Sequence, residues 1–137
     1  MKILFMCVAN SARSQLAEGI AKQIFGGGAD IRSAGSQPTK VNPFAILALN
    51  EVGAEFKSLY SKTVDDLPRE FVDQLDYVIT LCAEEVCPVI ISKAKKLHWA
   101  LPDPAGKDGT DDEQLNRFRT TRDEVRKRLE EFSKDLS

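Results

Sequence analysis

Cys7 and Arg13 bracket the segment Cys7-Val8-Ala9-Asn10-Ser11-Ala12-Arg13, a cysteine and an arginine with five residues between them. Three cysteines and eight arginines could produce such a pairing by chance, so its meaning depends on its surroundings. It lies between the apolar run Ile3 to Cys7 and a stretch where Leu16, Ala17, Ile20, Ala21, Ile24 and Phe25 recur at helical spacing. A turn from a buried strand into a helix can aim successive backbone N–H groups into one concavity, and the helix N-terminus adds positive potential. Val8, Ala9, Asn10, Ser11, Ala12 and Arg13 would then cradle a tetrahedral oxyanion, the planar guanidinium gripping two oxygens as a lysine could not. The same field favours thiolate over thiol at Cys7, making it a nucleophile. Ser14 is placed to donate a hydrogen bond to that sulfur, and Asn10 tolerates the left-handed backbone that shapes such a loop. The competing reading is a plain turn between a buried cysteine and a solvated arginine.

Two further thiols, Cys82 and Cys87, follow the apolar run Asp76 to Leu81. If the segment joining them were helical, their Cα atoms would stand about 8.5 Å apart. A disulfide spans roughly 4.4–6.8 Å, so bridging the pair requires the segment to unwind. Such a pair suits a redox switch better than a structural staple. Structural zinc, with His98 as a further ligand, is disfavoured by the four-residue gap and the lack of a second cysteine pair. Inert core thiols are the remaining alternative.

These residues need elements to position them. The chain has 137 residues, enough for one domain spanning 1–137. Its 42% hydrophobic and 29% charged content is that of an ordinary globular protein, and a formal charge of −2 offers no case for nucleic acid or a membrane surface. No apolar run approaches a bilayer span. The N-terminal run lacks a small-residue cleavage site and meets turn residues at once, so a buried strand and a cytoplasmic protein are expected. A helix closes at Gly26-Gly27-Gly28, a strand runs from Ile31 to Ala34, and Asn42-Pro43 opens a helix through Ala45, Ile46, Leu49 and Val52 that Gly53 closes. After a polar stretch, Asp76 to Leu81 reads as a strand leading to a short helix holding Glu84, Glu85 and Cys87. Lys96 to Trp99 reads as the last strand, Leu101 to Gly106 as a loop, and Asp111 onward as a long amphipathic helix. Strands alternating with helices imply a parallel sheet covered on both faces. Ligands of such sheets bind beyond the carboxyl ends of the strands, where Cys7, Cys82 and Asp103 would gather.

With Ser14-Gln15-Leu16-Ala17-Glu18-Gly19 following it, the Cys7–Arg13 segment resembles the opening of the low-molecular-weight protein tyrosine phosphatases and of the thioredoxin-coupled arsenate reductases on the same fold. Ser33-Ala34-Gly35, Val41-Asn42-Pro43, Thr80-Leu81-Cys82, Cys87-Pro88, His98-Trp99 and Leu101-Pro102-Asp103-Pro104-Ala105-Gly106 resemble arsenate reductase landmarks along the whole chain. The resemblance implies a single-domain, flavodoxin-like three-layer α/β sandwich with a four-stranded parallel sheet. It also implies a relay. Cys7 attacks arsenate, Cys82 attacks the Cys7 sulfur as arsenite departs, and Cys87 moves the disulfide outward for thioredoxin to reduce. A glutaredoxin or mycothiol system could replace thioredoxin as donor. Asp103 would be the acid–base residue. No bound cofactor or metal is implied for the chemistry, phosphate or sulfate would compete with arsenate, and a monomer is expected.

Some arsenate reductases of this family bind potassium through Asn, Glu, Ser and Asp side chains. Asn10, Glu18 and Ser33 match the first three, but Lys62 falls at the fourth. Its ammonium would pair with Glu18 and tie down Asn10 indirectly, so no potassium dependence is expected. The alternative is a surface lysine. A phosphatase acting through a Cys7 phosphoenzyme is the second functional reading, and a non-catalytic redox or metal-binding module the third. The cysteine pair favours the reductase. So does the Asp103 loop, which lacks the aromatic residues that flank the acid in phosphatases.

Overall fold

Ile3, Leu4 and Phe5 are fully buried, as a strand covered on both faces requires, since successive side chains point to opposite sides. The computed structural model describes residues 1–83, 90 and 92–136. In chain order the elements are β1 (Lys2–Cys7), α1 (Arg13–Phe25), β2 (Asp30–Gly35), α2 (Pro43–Glu51), α3 (Arg69–Asp73), β3 (Tyr77–Thr80), β4 (Lys95–His98) and α4 (Asp111–Asp135). The strands form one parallel sheet in the order β2-β1-β3-β4, with helices on both faces. The register pairs Cys7 with Gly35, Met6 with Thr80 and Thr80 with His98. The carboxyl ends of all four strands therefore reach one level.

The two sides of the sheet bury different cores. Ile3, Phe5 and Ile79 pack with Leu16 and Ile20 of α1, Leu49 of α2, and Phe118, Val125, Leu129 and Phe132 of α4. Leu4, Met6, Ala34 and Val78 pack with Leu67, Phe71, Leu75 and Ile90. The second core corrects the sequence reading. What reads as a polar stretch contains a 3₁₀ turn at Val64–Asp66 and the helix α3. Its apolar residues, spaced by four, cover the second face. The ends of β3 and β4 also fall a residue or so inside or before the expected limits. The helix expected around Glu84, Glu85 and Cys87 lies outside the described residues.

Local signals explain the helix limits. Asn42 accepts a hydrogen bond from the Phe44 amide (2.9 Å) ahead of Pro43 at the first turn of α2. Thr110 and Glu113 form a reciprocal capping box at the start of α4. Near the far end of α4, Phe132 meets the rings of Tyr77 and Trp99 edge-on at 5.0 and 5.9 Å. Among the described residues, no helix is long and apolar enough to cross a membrane.

Glu51, at the end of α2, joins that helix to α4 through ion pairs with Arg119 and Arg122. The hydrogen bonds from Arg119, followed by those from Arg122, hold its carboxyl at about 2. A depressed carboxylate stabilises the fold above its unfolded pKa and loses that contribution as pH falls through the folded value. We expect Glu51→Gln to melt below wild type at pH 6, and the gap to close as pH drops from the ordinary carboxylate range toward 2. A gap that stays constant across that range would contradict the assignment.

Candidate active site

β1 ends at Cys7 and α1 begins at Arg13, so five residues carry the chain across the sheet's edge. Their carbonyls all face outward. Val8 O accepts from Gln37 N (2.9 Å), Ala9 O from Thr39 N (3.1 Å), Ser11 O from Asn42 N (2.9 Å) and Ala12 O from Leu16 N (2.9 Å). The Asn10 carbonyl accepts from Gln15 Nε2 (2.9 Å) and Ser61 Oγ (2.6 Å). A trans peptide points its C=O and N–H in opposite directions, so carbonyls turned outward aim the intervening amides inward. Among the described residues, the amides of Val8 through Ala12 hydrogen-bond to no protein group. Inward amides at a helix N-terminus have the form that anion nests take.

Asn10 has φ +48° and is fully buried. Its Nδ2 donates to Ser14 Oγ (2.7 Å) and Ser33 Oγ (3.0 Å), and its Oδ1 accepts from the Lys62 amide (3.0 Å). Ser14 Oγ also lies 2.8 Å from Cys7 Sγ. Because Asn10 donates to that hydroxyl, the hydroxyl hydrogen is left for the sulfur. Gly35, paired with Cys7 at the end of β2, touches the loop from the other side. A Cβ there would meet Val8 O at 2.4 Å and Cys7 O at 2.9 Å. Ser33-Ala34-Gly35 is legible in the sequence as a landmark, but this close approach is not. Gln15 and Ser61, which bond to the loop from outside the Cys7–Arg13 motif, likewise carry no signal of that role in the sequence.

Arg13 is almost fully buried. Its Nη1 donates to Leu101 O (3.0 Å) and, more weakly, to Leu81 O (3.5 Å), and its Nη2 lies 3.8 Å from Asp103 Oδ2. The guanidinium thus meets the segments leaving β3 and β4. Leu81 N donates to Met6 O (3.0 Å), so the chain entering Cys82 runs beside the chain entering Cys7. Cys7 is a buried free thiol, and Cys82, also buried, takes part in a disulfide. Cys87 lies outside the described residues. Asp103 is half-exposed, and its Oδ1 accepts from the Ala105 amide (2.9 Å), fixing the turn that presents the carboxyl. Cys7, Arg13, Asp103 and Cys82 therefore gather at the carboxyl edge of the sheet.

Behind the loop, Ser33 donates to Glu18 Oε1 (2.6 Å), and Lys22 donates to Glu18 Oε2 (2.6 Å). Lys62 is buried. Its Nζ donates to Tyr60 O (2.9 Å) and lies 3.7 Å from Glu18 Oε1. Burial pushes this ammonium below its ordinary range, and the Glu18 charge partly offsets that. The ammonium connects to Asn10 indirectly, through Glu18 and Ser33, while the Lys62 backbone amide also donates to Asn10 directly. An ammonium already stands against the Glu18 carboxylate, so these residues do not fit a bound potassium ion. Steady-state rates in matched sodium and potassium buffers should agree, and severalfold activation by potassium would contradict this. Among the described residues, no group of three or more His, Cys, Asp or Glu side chains is arranged to hold a metal. His98 instead shares a hydrogen bond with Thr80 (2.7 Å).

Residues 2–137 match the model of the low molecular weight phosphotyrosine protein phosphatase family. The chain belongs to that family. Within it, the chain is 41% identical over 133 residues to an arsenate reductase of Halalkalibacterium halodurans, covering 96% of this chain and 94% of that one. A solved arsenate reductase in the phosphate binding state superposes with a TM-score of 0.77 at 33% identity, and both chains are fully covered. A thioredoxin-dependent arsenate reductase of Corynebacterium glutamicum superposes at 0.74 with 29% identity, over 98% of this chain and 61% of that one. Proteins named as reductases thus match this chain along nearly its whole length.

Proposed function

We propose that this protein reduces arsenate to arsenite by a three-cysteine relay and is itself reduced by thioredoxin. The observation that carries the reading is the free Cys7 thiol beside the disulfide-bonded Cys82, on the adjacent segment of the same sheet edge. A phosphatase of this family has no use for a second redox-active cysteine there. The reductase relatives add support.

The amides of Val8 to Ala12 and the Arg13 guanidinium bind the arsenate oxygens. Cys7 Sγ attacks arsenic and forms an As–S bond while a hydroxyl, protonated by Asp103, leaves as water. Cys82 then attacks Cys7 Sγ. The S–As electron pair passes to arsenic, which leaves as arsenite, reduced from As(V) to As(III), and a Cys7–Cys82 disulfide remains. Cys87 attacks Cys82, releasing the Cys7 thiolate. Thioredoxin's dithiol reduces the Cys82–Cys87 bridge. Overall, one arsenate and one dithiol give arsenite, a disulfide and water.

The test is arsenite production with thioredoxin, thioredoxin reductase and NADPH. Wild type should turn over, while Cys82→Ser and Cys87→Ser should not. Turnover of both variants at the wild-type rate would overturn the relay. The oxyanion loop also favours slow hydrolysis of p-nitrophenyl phosphate, because phosphate and arsenate are near-isosteric. That activity should vanish in Cys7→Ser and survive in Cys87→Ser.

A further inference from the structure

Gln15 lies in the first turn of α1 with its side chain fully buried. Its Nε2 donates to Asn10 O (2.9 Å) and to Tyr60 O (3.0 Å). These acceptors sit on separate pieces of chain, the loop itself and the 59–62 segment behind it.

The loop's peptide planes are not all held in the same way. The carbonyls of Val8, Ala9 and Ser11 are held by the backbone amides of Gln37, Thr39 and Asn42. Those bonds depend little on which side chains the 37–42 segment carries. The Asn10 carbonyl is held by two side chains, Gln15 Nε2 and Ser61 Oγ. The Asn10–Ser11 peptide is also the plane next to the loop's left-handed residue, where steric preference alone would not hold a side-chain-bearing residue. Because the peptide is planar and trans, fixing Asn10 O outward aims the Ser11 N–H inward.

We propose that Gln15, acting with Ser61, is a positioning residue that aims the Ser11 amide at the bound oxyanion. The proposal rests on the reading of the loop as an oxyanion site. A purely structural role fits the environment less well. Gln15 Oε1 is buried and accepts no hydrogen bond among the described residues, a penalty that an apolar side chain of the same length would avoid. Removing the amide would still leave Asn10 O bonded to Ser61 and Tyr60 O bonded to Lys62. The fold therefore loses little with Gln15, whereas the aim of one amide loses half its support.

The test uses the full chain with inorganic phosphate as probe, measured by calorimetry and as a competitive inhibitor of p-nitrophenyl phosphate hydrolysis. Gln15→Met should melt close to wild type yet bind phosphate about tenfold more weakly, with KM for arsenate rising more than kcat falls. Ser61→Ala should move phosphate affinity in the same direction, and the double variant further than either single one. Phosphate affinity within about twofold of wild type in folded Gln15→Met would overturn the proposal. If Gln15→Met does not fold, Ser61→Ala decides by the same criterion. Wild type that fails to bind phosphate overturns the oxyanion reading itself, and the positioning role with it.

Discussion

Arg13→Lys is expected to lower kcat/KM for arsenate by about three orders of magnitude. The guanidinium is fixed from behind by Leu101 O at 3.0 Å and lies 3.8 Å from Asp103, so its planar fork is held in one orientation before any anion arrives. A lysine places one compact charge on a flexible stem and presents no parallel pair of donors. Charge-assisted hydrogen bonds contribute about 1.5–3 kcal/mol each, and losing the paired geometry of two of them gives about 4 kcal/mol, a factor near a thousand. Hydrolysis of p-nitrophenyl phosphate should fall in parallel, since the same oxygens are gripped. Steady-state kinetics with both substrates make the comparison, and melting curves check that the variant is folded. A loss below about tenfold in both reactions would mean that the backbone amides alone hold the anion.

Gly35→Ala should damage the same site from the opposite side, without touching a group that meets substrate. The added methyl would sit 2.4 Å from Val8 O, 2.9 Å from Cys7 O and 3.0 Å from Asn10 Cβ. Two of these neighbours are backbone atoms and cannot swing away. Gly35 cannot retreat either, because its amide donates to Lys62 O at 2.9 Å. The loop must move, and Val8 O is one of the carbonyls whose orientation aims the amides inward. Overpacking of this kind costs about 1–3 kcal/mol, so the midpoint of thermal unfolding should fall by several degrees. Phosphate binding should fall by tenfold or more, because donors displaced from the oxyanion lose most of their worth. Gly27→Ala is the control, since nothing lies within 4 Å of a Cβ there. Wild-type phosphate affinity in Gly35→Ala would show that the loop tolerates displacement.

Much of the architecture can be read along the chain because its signals are local. The apolar run at Ile3–Cys7, the helical spacing from Leu16 to Phe25, the Asn42-Pro43 start and the amphipathic pattern from Asp111 onward each report on a stretch of consecutive residues. Where the signal was short, it was passed over. Leu67, Phe71 and Leu75 repeat at a spacing of four, but they sit among charged residues, and α3 is only five residues long. The burial of that face comes from the sheet beneath it, not from the segment's own composition.

The candidate site divides along the same line. Cys7, Asn10, Arg13 and Ser14 lie within one turn of chain, so the sequence alone determined that a thiol, an arginine and a hydroxyl would share a strand-to-helix junction. Only the tertiary structure decided which way the peptide planes face. Four of the five outward carbonyls are held by donors that are distant in sequence or lie on another element, namely Gln37, Thr39, Asn42, Ser61 and the Gln15 side chain, and only Ala12 O, bonded to Leu16 N, is held locally. The need for glycine at position 35 and the backbone bond from Lys62 to Asn10 are likewise contacts between segments far apart in the chain. The physical reason is that residue type and periodicity set which groups are available. The direction of a hydrogen bond depends on a partner that arrives only when the sheet closes.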